Sequence, residues 1–447
     1  MTVFYVSIES NNISKPRSRW GQAKAAVSIG TYTPRQSHQT SIYRLVFYYH
    51  EELLSLWESC FQQRYGLLRP VVEAAFRAYL DCGVYERGCV RIRCPDCAHE
   101  LYLAFSCKRR GICASCAAKR GVIFGEKLQV EVLAPVPHQH VVFTIPKRIR
   151  PYFLRDRTQL GILFRAAWKA LKNQLGSTAE KTVPGAVMAL HTAGETLAFH
   201  PHIHCIVSSG AFSSDNADSF RQNTIDPDAL KKTFEREVAR MMSNKFEELS
   251  PIFDQILQQE NTGFNVWAGD IVDSDDHDTR RFLGRYLMRH PFAVDRIVIK
   301  KNKVEVTSTK ESVITWKGTP LEFIARLSPH IPNHYKHMER FYGLYSPVIR
   351  GAIKAKKLQT PNSPTDPIDP FEPKTTAGRA SWATCIKLVY EINPMECPIC
   401  NGQMKIVAFI LDQREIPKIL KAAGLPSYRA PPQFDPDFQP TPDIHWT

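Results

Sequence analysis

Three histidines stand at alternate positions in Phe199-His200-Pro201-His202-Ile203-His204-Cys205-Ile206-Val207. Along a strand, alternate side chains share a face, so His200, His202 and His204 point one way and Ile203, Cys205 and Val207 point the other, toward a core. Imidazoles at i and i+2 on a rigid strand can coordinate one divalent cation. Positions are then left open for phosphate oxygens, which such an ion polarises and orients. His200, His202 and His204 are the candidate ligands. The competing reading is three surface histidines on an edge strand marked by Pro201. His138-Gln139-His140 repeats the spacing beside a second strand, either as the source of a third ligand or as a coincidence.

Metal-assisted cleavage of a phosphodiester also needs a nucleophile. Arg280 to Arg289 reads as a helix with a basic face, on which Arg281, Arg285 and Arg289 recur at i, i+4 and i+8, a stripe suited to a DNA backbone. Tyr286 adjoins that stripe. A phenol is a weak nucleophile near neutral pH, with an ordinary pKa of about 10. A metal ion and nearby guanidinium groups favour the phenolate, the form that attacks phosphorus. Taken alone, Tyr286 reads as a packed aromatic.

Cysteines supply a second kind of site. Cys94-Pro95-Asp96-Cys97 and Cys113-Ala114-Ser115-Cys116 are two Cys-x-x-Cys pairs with residues 98–112 between them. Two residues between thiolates let both face one tetrahedral ion, and the loop returns the second pair to it, the spacing of a closed structural zinc site. Cys107 is an additional possible ligand, while Cys82 and Cys89 are less well placed. Lys108, Arg109, Arg110, Lys119 and Arg120 crowd the second pair, where a metal-pinned loop could meet phosphates or base edges; the alternative is a solvated rim. Cys397-Pro398-Ile399-Cys400 is a lone pair with Cys385 nearby, either half of a second zinc site or a pair without a metal role.

The bulk numbers fit. At 447 residues the chain is long enough for several domains. The net charge of +14 favours a polyanionic partner, because each Lys or Arg set against a phosphate releases a counterion. No apolar run is long enough to span a bilayer, no signal peptide opens the chain, and the cysteine spacing is that of metal ligands, so a cytoplasmic protein is expected.

The elements that must position these residues mix strands and helices. Residues 1–41 read as a flexible basic arm and 42–125 as a zinc-binding domain with two short helices between Tyr43 and Leu80. Residues 126–350 hold strands at Val141–Ile145, Ala186–Leu190 and His200–Val207, and a hairpin at Ile297–Ile299 and Val304–Val306. A helical insertion at about 212–265 opens with Asp226 as cap and Pro227 at its first position. Prolines at 361, 364, 367, 370 and 373 mark an extended linker over 351–380. A C-terminal module, 381–447, begins near Trp382 and ends in a Pro-rich tail from Pro431. The class expected is α+β with an antiparallel sheet.

Together these motifs resemble the HUH rolling-circle transposases of insertion sequences and their single-tyrosine common-region relatives. The resemblance covers about Tyr65 to Pro426. It rests on Ser106-Cys107-Lys108 with Cys113-Ala114-Ser115-Cys116, on His140-Val141-Val142-Phe143-Thr144-Ile145-Pro146, and on His200-Pro201-His202-Ile203-His204. Arg285-Tyr286 with Arg289, Phe341-Tyr342-Gly343-Leu344, and Cys397-Pro398-Ile399-Cys400 before Gly402-Gln403-Met404 complete it. It implies a zinc-binding domain followed by an HUH nuclease domain, with His202 and His204 holding magnesium or manganese. Tyr286 would then attack single-stranded DNA at the element termini, leaving a 5′-phosphotyrosine and a free 3′-hydroxyl. Two-tyrosine members carry tyrosines four residues apart on this helix. Here the earlier position is Phe282, so Tyr286 would act alone, with the intermediate resolved either by a second Tyr286 from another subunit of a homo-oligomer or by a free hydroxyl. Alternative readings are a rolling-circle replication initiator, a relaxase, or a non-catalytic zinc-dependent DNA-binding regulator.

Overall fold

The alternation of histidines with Ile203, Cys205 and Val207 produces an interior strand, not an edge strand. The computed structural model describes residues 38, 40–176, 181–213, 219–308, 313–359 and 395–425. Most of the N-terminal arm, the proline-spaced stretch 361–373, Trp382, Cys385 and the tail from Pro431 lie outside the described residues. The first part of the chain forms α1 (Ser41–Leu56), α2 (Gln62–Tyr65), α3 (Pro70–Leu80), β1 (Cys89–Arg93), β2 (Glu100–Ala104) and α4 (Ala114–Lys127). The middle forms β3 (His138–Thr144), α5 (Arg150–Arg155), α6 (Leu160–Leu175), β4 (Thr182–Val183), β5 (Gly185–Ala193), β6 (Phe199–Ser208), β7 (Gly210–Ser213), β8 (Phe220–Gln222), α7 (Pro227–Ser243) and α8 (Ser250–Leu257). Then come β9 (Asn265–Val272), α9 (His277–Leu287), β10 (Ile297–Lys300), β11 (Lys303–Thr307), β12 (Ile314–Gly318), α10 (Pro320–Leu327), β13 (Glu339–Gly343) and α11 (Pro347–Gln359). Beyond the undescribed stretch lie β14 (Lys405–Ile410) and α12 (Ile416–Ala422).

The main sheet has the order β13–β5–β6–β3–β9, with every neighbouring pair antiparallel. β6 is therefore central. Pro201 is tolerated there because it lies beyond the Thr144–His202 pair with β3 and beside a register shift against β5; a proline removes no ladder bond at such a place.

One face of this sheet, carrying Val141, Phe143, Met188, Ile203, Cys205 and Val207, packs under α6, α7 and α8 through Leu163, Phe164, Phe234, Val238 and Phe253. The expected insertion thus supplies part of the main core. Its helix α7 begins as the Asp-Pro signal implies, with the Asp226 carboxylate accepting from the N–H groups of Asp228 and Ala229. The opposite face, carrying Val187, Ala189 and Ile206, is covered by Leu283 and Leu287 of α9 and by Leu128 and Val132 of a π-helical turn that continues α4. Helices on both faces of an antiparallel sheet make this α+β.

The expected pair of short helices in 43–80 is instead a long α1, a short α2 and α3. These pack, with α10 and the sheet β10–β11–β12, around a second core that includes Ile42, Leu45, Phe76, Val304 and Phe323. A third sheet, β14–β1–β2, joins the region after residue 395 to the N-terminal region. No helix among the described residues is long and apolar enough to cross a membrane.

α4 crosses α9 at very short range. A Cβ on Gly284 would come within 2.8 Å of the Gly125 Cα, and one on Gly125 within 2.8 Å of the Arg281 carbonyl oxygen. Glycine is required at both positions by proximity alone. Gly284→Val is expected to destabilise the chain by about 1–3 kcal/mol through overpacking. Denaturant unfolding checks this, and an unchanged midpoint would show that the crossing can open without cost.

Candidate functional site

β5 sets His191 directly opposite His202, and β6 carries His204 two residues on, on the same face. His191, His202 and His204 each offer one ring nitrogen within 4.8 Å of the others, a geometry that can hold one metal ion. The sequence reading ends this strand at Leu190 and misses His191 by one residue. Extending its alternation through Ala189 would have found it. His200 stays outside the group, against its candidacy as a ligand: its backbone carbonyl accepts from His202 Nδ1 at 2.7 Å, which leaves His202 Nε2 to face the site. His140 also lies behind the group. Its ring stacks on His204, with Nε2 3.0 Å from His204 Nδ1, so it fixes the orientation of the His204 ring. His138 turns away and pairs with the Tyr345 hydroxyl at 2.6 Å.

Burial keeps these rings neutral. It pushes His191 down to about 3 and His202 to about 4, and it carries His204 well below the ordinary imidazole value. Neutral imidazole is the form that binds metal.

α9 lays Tyr286 onto this cluster. Its ring centroid is 5.2 Å from that of His204, 5.6 Å from His140 and 6.2 Å from His191. The Asp276 carboxylate caps α9 by accepting from the Thr279 N–H, and the buried Arg280 guanidinium donates to the Leu133 and Ala134 carbonyls. Arg289 sits 5.5 Å from the Tyr286 ring centroid, with Nη1 3.5 Å from the hydroxyl oxygen. Phe282, one turn earlier, is exposed, with its ring 6.3 Å from that of Tyr286.

The arginine stripe is divided. Arg281 and Arg285 both reach Glu126 of α4, at 3.1 and 3.4 Å, so they help fasten the helix crossing, while Arg289 faces the histidines. A cleft of about 680 Å³ joins the histidines and Tyr286 to Lys108, Arg109, Arg110 and Arg120. Arg110 and Arg120 flank Glu339 at 3.5 and 3.4 Å. Lys119 is on α4 but is not part of the cleft lining. Arg296 and His290 line the cleft as well, and no local motif marks them.

The cysteines regroup. Cys94 and Cys97 do not share a centre with Cys113 and Cys116: the two clusters are Cys82–Cys107–Cys113–Cys116 and Cys94–Cys97–Cys397–Cys400. The reason is β2, which carries the chain about 17 Å away from Cys97, at ~3.4 Å per residue, before Cys107 is reached. Cys107 is thus a member of the first cluster, and so is Cys82, which the spacing had set aside. Cys82 Sγ lies 3.7 Å from Cys113 Sγ and 3.7 Å from Cys116 Sγ, and Cys107 Sγ lies 3.6 Å from Cys116 Sγ. Backbone N–H groups of Cys107 and Cys116 donate to the sulfurs of Cys82 and Cys113. Hydrogen bonding among the thiols, with burial, pushes Cys113 far above the ordinary thiol range. A cation between the four sulfurs offsets that, because it binds the thiolate form. Cys113 also caps α4, so this centre sits at the head of the helix that crosses α9.

Residues 53–145 match a "Transposase zinc-binding domain" and residues 185–352 a family described as "Putative transposase". The zinc-binding domain and the thiol clusters support structural zinc. The chain is 25% identical over 370 residues to the transposase for insertion sequence element IS801 of Pseudomonas savastanoi pv. phaseolicola, covering 77% of this chain and 85% of that protein. It is 32% identical over 124 residues to "Putative transposase y4qJ" of Sinorhizobium fredii, covering 27% of this chain and 31% of that one. No solved structure matches the chain. The replication-initiator, relaxase and regulator readings find no support among these matches. These matches support a rolling-circle transposase of insertion sequences.

Proposed function

We propose that this transposase nicks single-stranded DNA at insertion-element ends with Tyr286, beside a divalent cation held by His191, His202 and His204. The observation that carries this reading is the meeting of Tyr286 with the three histidines in one basic cleft. A divalent cation bound there supplies Lewis-acid polarisation of the scissile phosphate. A donor set of three imidazoles fits manganese better than magnesium, which prefers oxygen ligands.

Tyr286 Oη forms a bond to phosphorus as the bond from phosphorus to the 3′ oxygen breaks. The phenol gives up its proton, and the departing oxygen takes one to become a free 3′-hydroxyl. The product is a 5′-phosphotyrosine, which a 3′-hydroxyl at the target can attack in the reverse sense, returning the proton to Tyr286. Arg289, against the Tyr286 hydroxyl, lies where charge gathers on the phosphate during the exchange. His140 holds the His204 ring and His200 holds the His202 ring, so both ligands are oriented before an ion arrives. Lys108, Arg109, Arg110, Lys119, Arg120, Arg281, Arg285 and Arg289 are proposed to contact the DNA. Arg281 and Arg285 would do so while still holding Glu126. With Phe282 in place of a second tyrosine, one subunit has one nucleophile, and a homo-oligomer would supply the second.

Mixed with manganese and labelled single-stranded DNA spanning the element's end, the protein is expected to form a covalent adduct, visible on a denaturing gel. Tyr286→Phe should remove it while leaving DNA binding within about twofold. An adduct that persists in Tyr286→Phe would exclude Tyr286 as the nucleophile. In calorimetric titration with manganese, His191→Ala is expected to abolish measurable binding and His140→Ala to weaken it about 10- to 100-fold. Wild-type affinity in His191→Ala would remove it from the ligand set.

A further inference from the structure

The second thiol cluster draws its two halves from opposite ends of the chain: Cys94 and Cys97 lie between β1 and β2, and Cys397 and Cys400 lie just before β14. The halves have the same local form. Each is Cys-Pro-x-Cys, followed by a residue in the left-handed region, Ala98 at φ 59° and Asn401 at φ 58°. In each, the N–H of that residue donates to the carbonyl of the first cysteine, Ala98 to Cys94 at 3.1 Å and Asn401 to Cys397 at 2.9 Å. In each, the N–H of the first cysteine donates to the carbonyl five residues on, Cys94 to His99 at 2.8 Å and Cys397 to Gly402 at 2.9 Å. The sulfurs meet crosswise, Cys94 with Cys400 at 3.4 Å and Cys97 with Cys397 at 3.4 Å. The first cysteine of each turn therefore faces the second of the other, the relation produced by a local two-fold axis.

Two matched turns that deliver four sulfurs to one point form a tetrahedral thiolate site. The 3.4 Å separations are too long for disulfides, whose sulfurs bond at about 2.05 Å. The apolar cluster beside the sulfurs is small, with Val90, Ile92, Leu103 and Met404 buried around Cys94 and Cys397. A patch of that size gives limited hydrophobic stabilisation, and small units of this kind commonly depend on a metal.

We propose that Cys94, Cys97, Cys397 and Cys400 bind a second zinc ion, which clamps β14 onto β1 and closes the chain around the catalytic domain. The ion is structural, since four thiolates fill its coordination. The zinc-binding region thus has its last two ligands beyond residue 395, far outside the segment 53–145 that matches a zinc-binding domain. The inference is independent of the Tyr286 chemistry.

Zinc would be counted by atomic emission in the full-length chain, in Cys397→Ser/Cys400→Ser and in Cys107→Ser/Cys116→Ser. The wild type is expected to carry two ions per chain and each double variant one. Equal zinc in the wild type and in Cys397→Ser/Cys400→Ser would overturn the proposal. A second measurement needs no variant. Cys97 and Cys400 are exposed, so as free thiols they should alkylate readily with iodoacetamide. Bound zinc is expected to slow both by roughly tenfold or more, with release on chelation, because the coordinated thiolate is a poorer nucleophile than a free one. The half-buried Cys60, in neither cluster, is the internal control. Alkylation of Cys97 and Cys400 that is fast before chelation and no faster after it would exclude a thiolate-bound ion.

Discussion

The close crossing of α4 and α9 is the constraint on which the site depends. With no side chain on Gly125 or Gly284, the two backbones approach closely enough for Glu126 to hold both Arg281 and Arg285. One helix begins at a cysteine cluster and the other carries Tyr286. The cysteine cluster and the proposed nucleophile are therefore joined by two short rods and one tight contact. The crossing also presses Leu283 and Leu287 onto the sheet face that ends in the histidines. The height of Tyr286 above His204 follows from that packing. A metal ion bound at the head of α4 would act on the candidate site through rigidity, not through reactivity.

Charge in the cleft is arranged on the same principle. The chain carries a large positive excess, yet the arginines nearest the site are not uniformly directed outward. Glu126 holds two of them against α4, and Glu339 sits between Arg110 and Arg120. These pairs are partly exposed, and exposed ion pairs add little stability. Their effect is geometric: they limit the rotamers available to long side chains beside a surface that a polyanion would cover. Phosphates arriving there would meet a field already in place.

Much of the site was legible because strand alternation is a strict rule. Three histidines opposite Ile203, Cys205 and Val207 can face only one way, whereas Tyr286, taken alone, reads as a packed aromatic that only its arginine neighbours make a candidate. His191 was not legible, because a short apolar run shows where a strand lies better than where it stops. The cysteines show the opposite limit. Spacing along the chain groups ligands that are near in sequence, so Cys94 and Cys97 were assigned to Cys113 and Cys116 and Cys82 was set aside. A hairpin separates those pairs, and Cys82 comes back to the cluster from the end of α3. The pairing of β14 with β1 is likewise invisible to any window of local sequence. The Asp-Pro start of α7 lies at the other extreme, since a few adjacent residues determine it.

The split sheet has a consequence for how the polypeptide is made. β1 lies between β2 and β14, and Cys97 meets Cys397 across a separation of 300 residues. At about 5–20 residues per second, a ribosome needs about 15–60 s to reach the second turn after finishing the first. For that interval the nascent chain presents one bare strand edge and two unmatched thiols, while the intervening domain can already be folding. A copy of the gene interrupted late in its reading frame would leave that edge open for good. Its catalytic centre would be fully translated, but its product would be prone to self-association through β1.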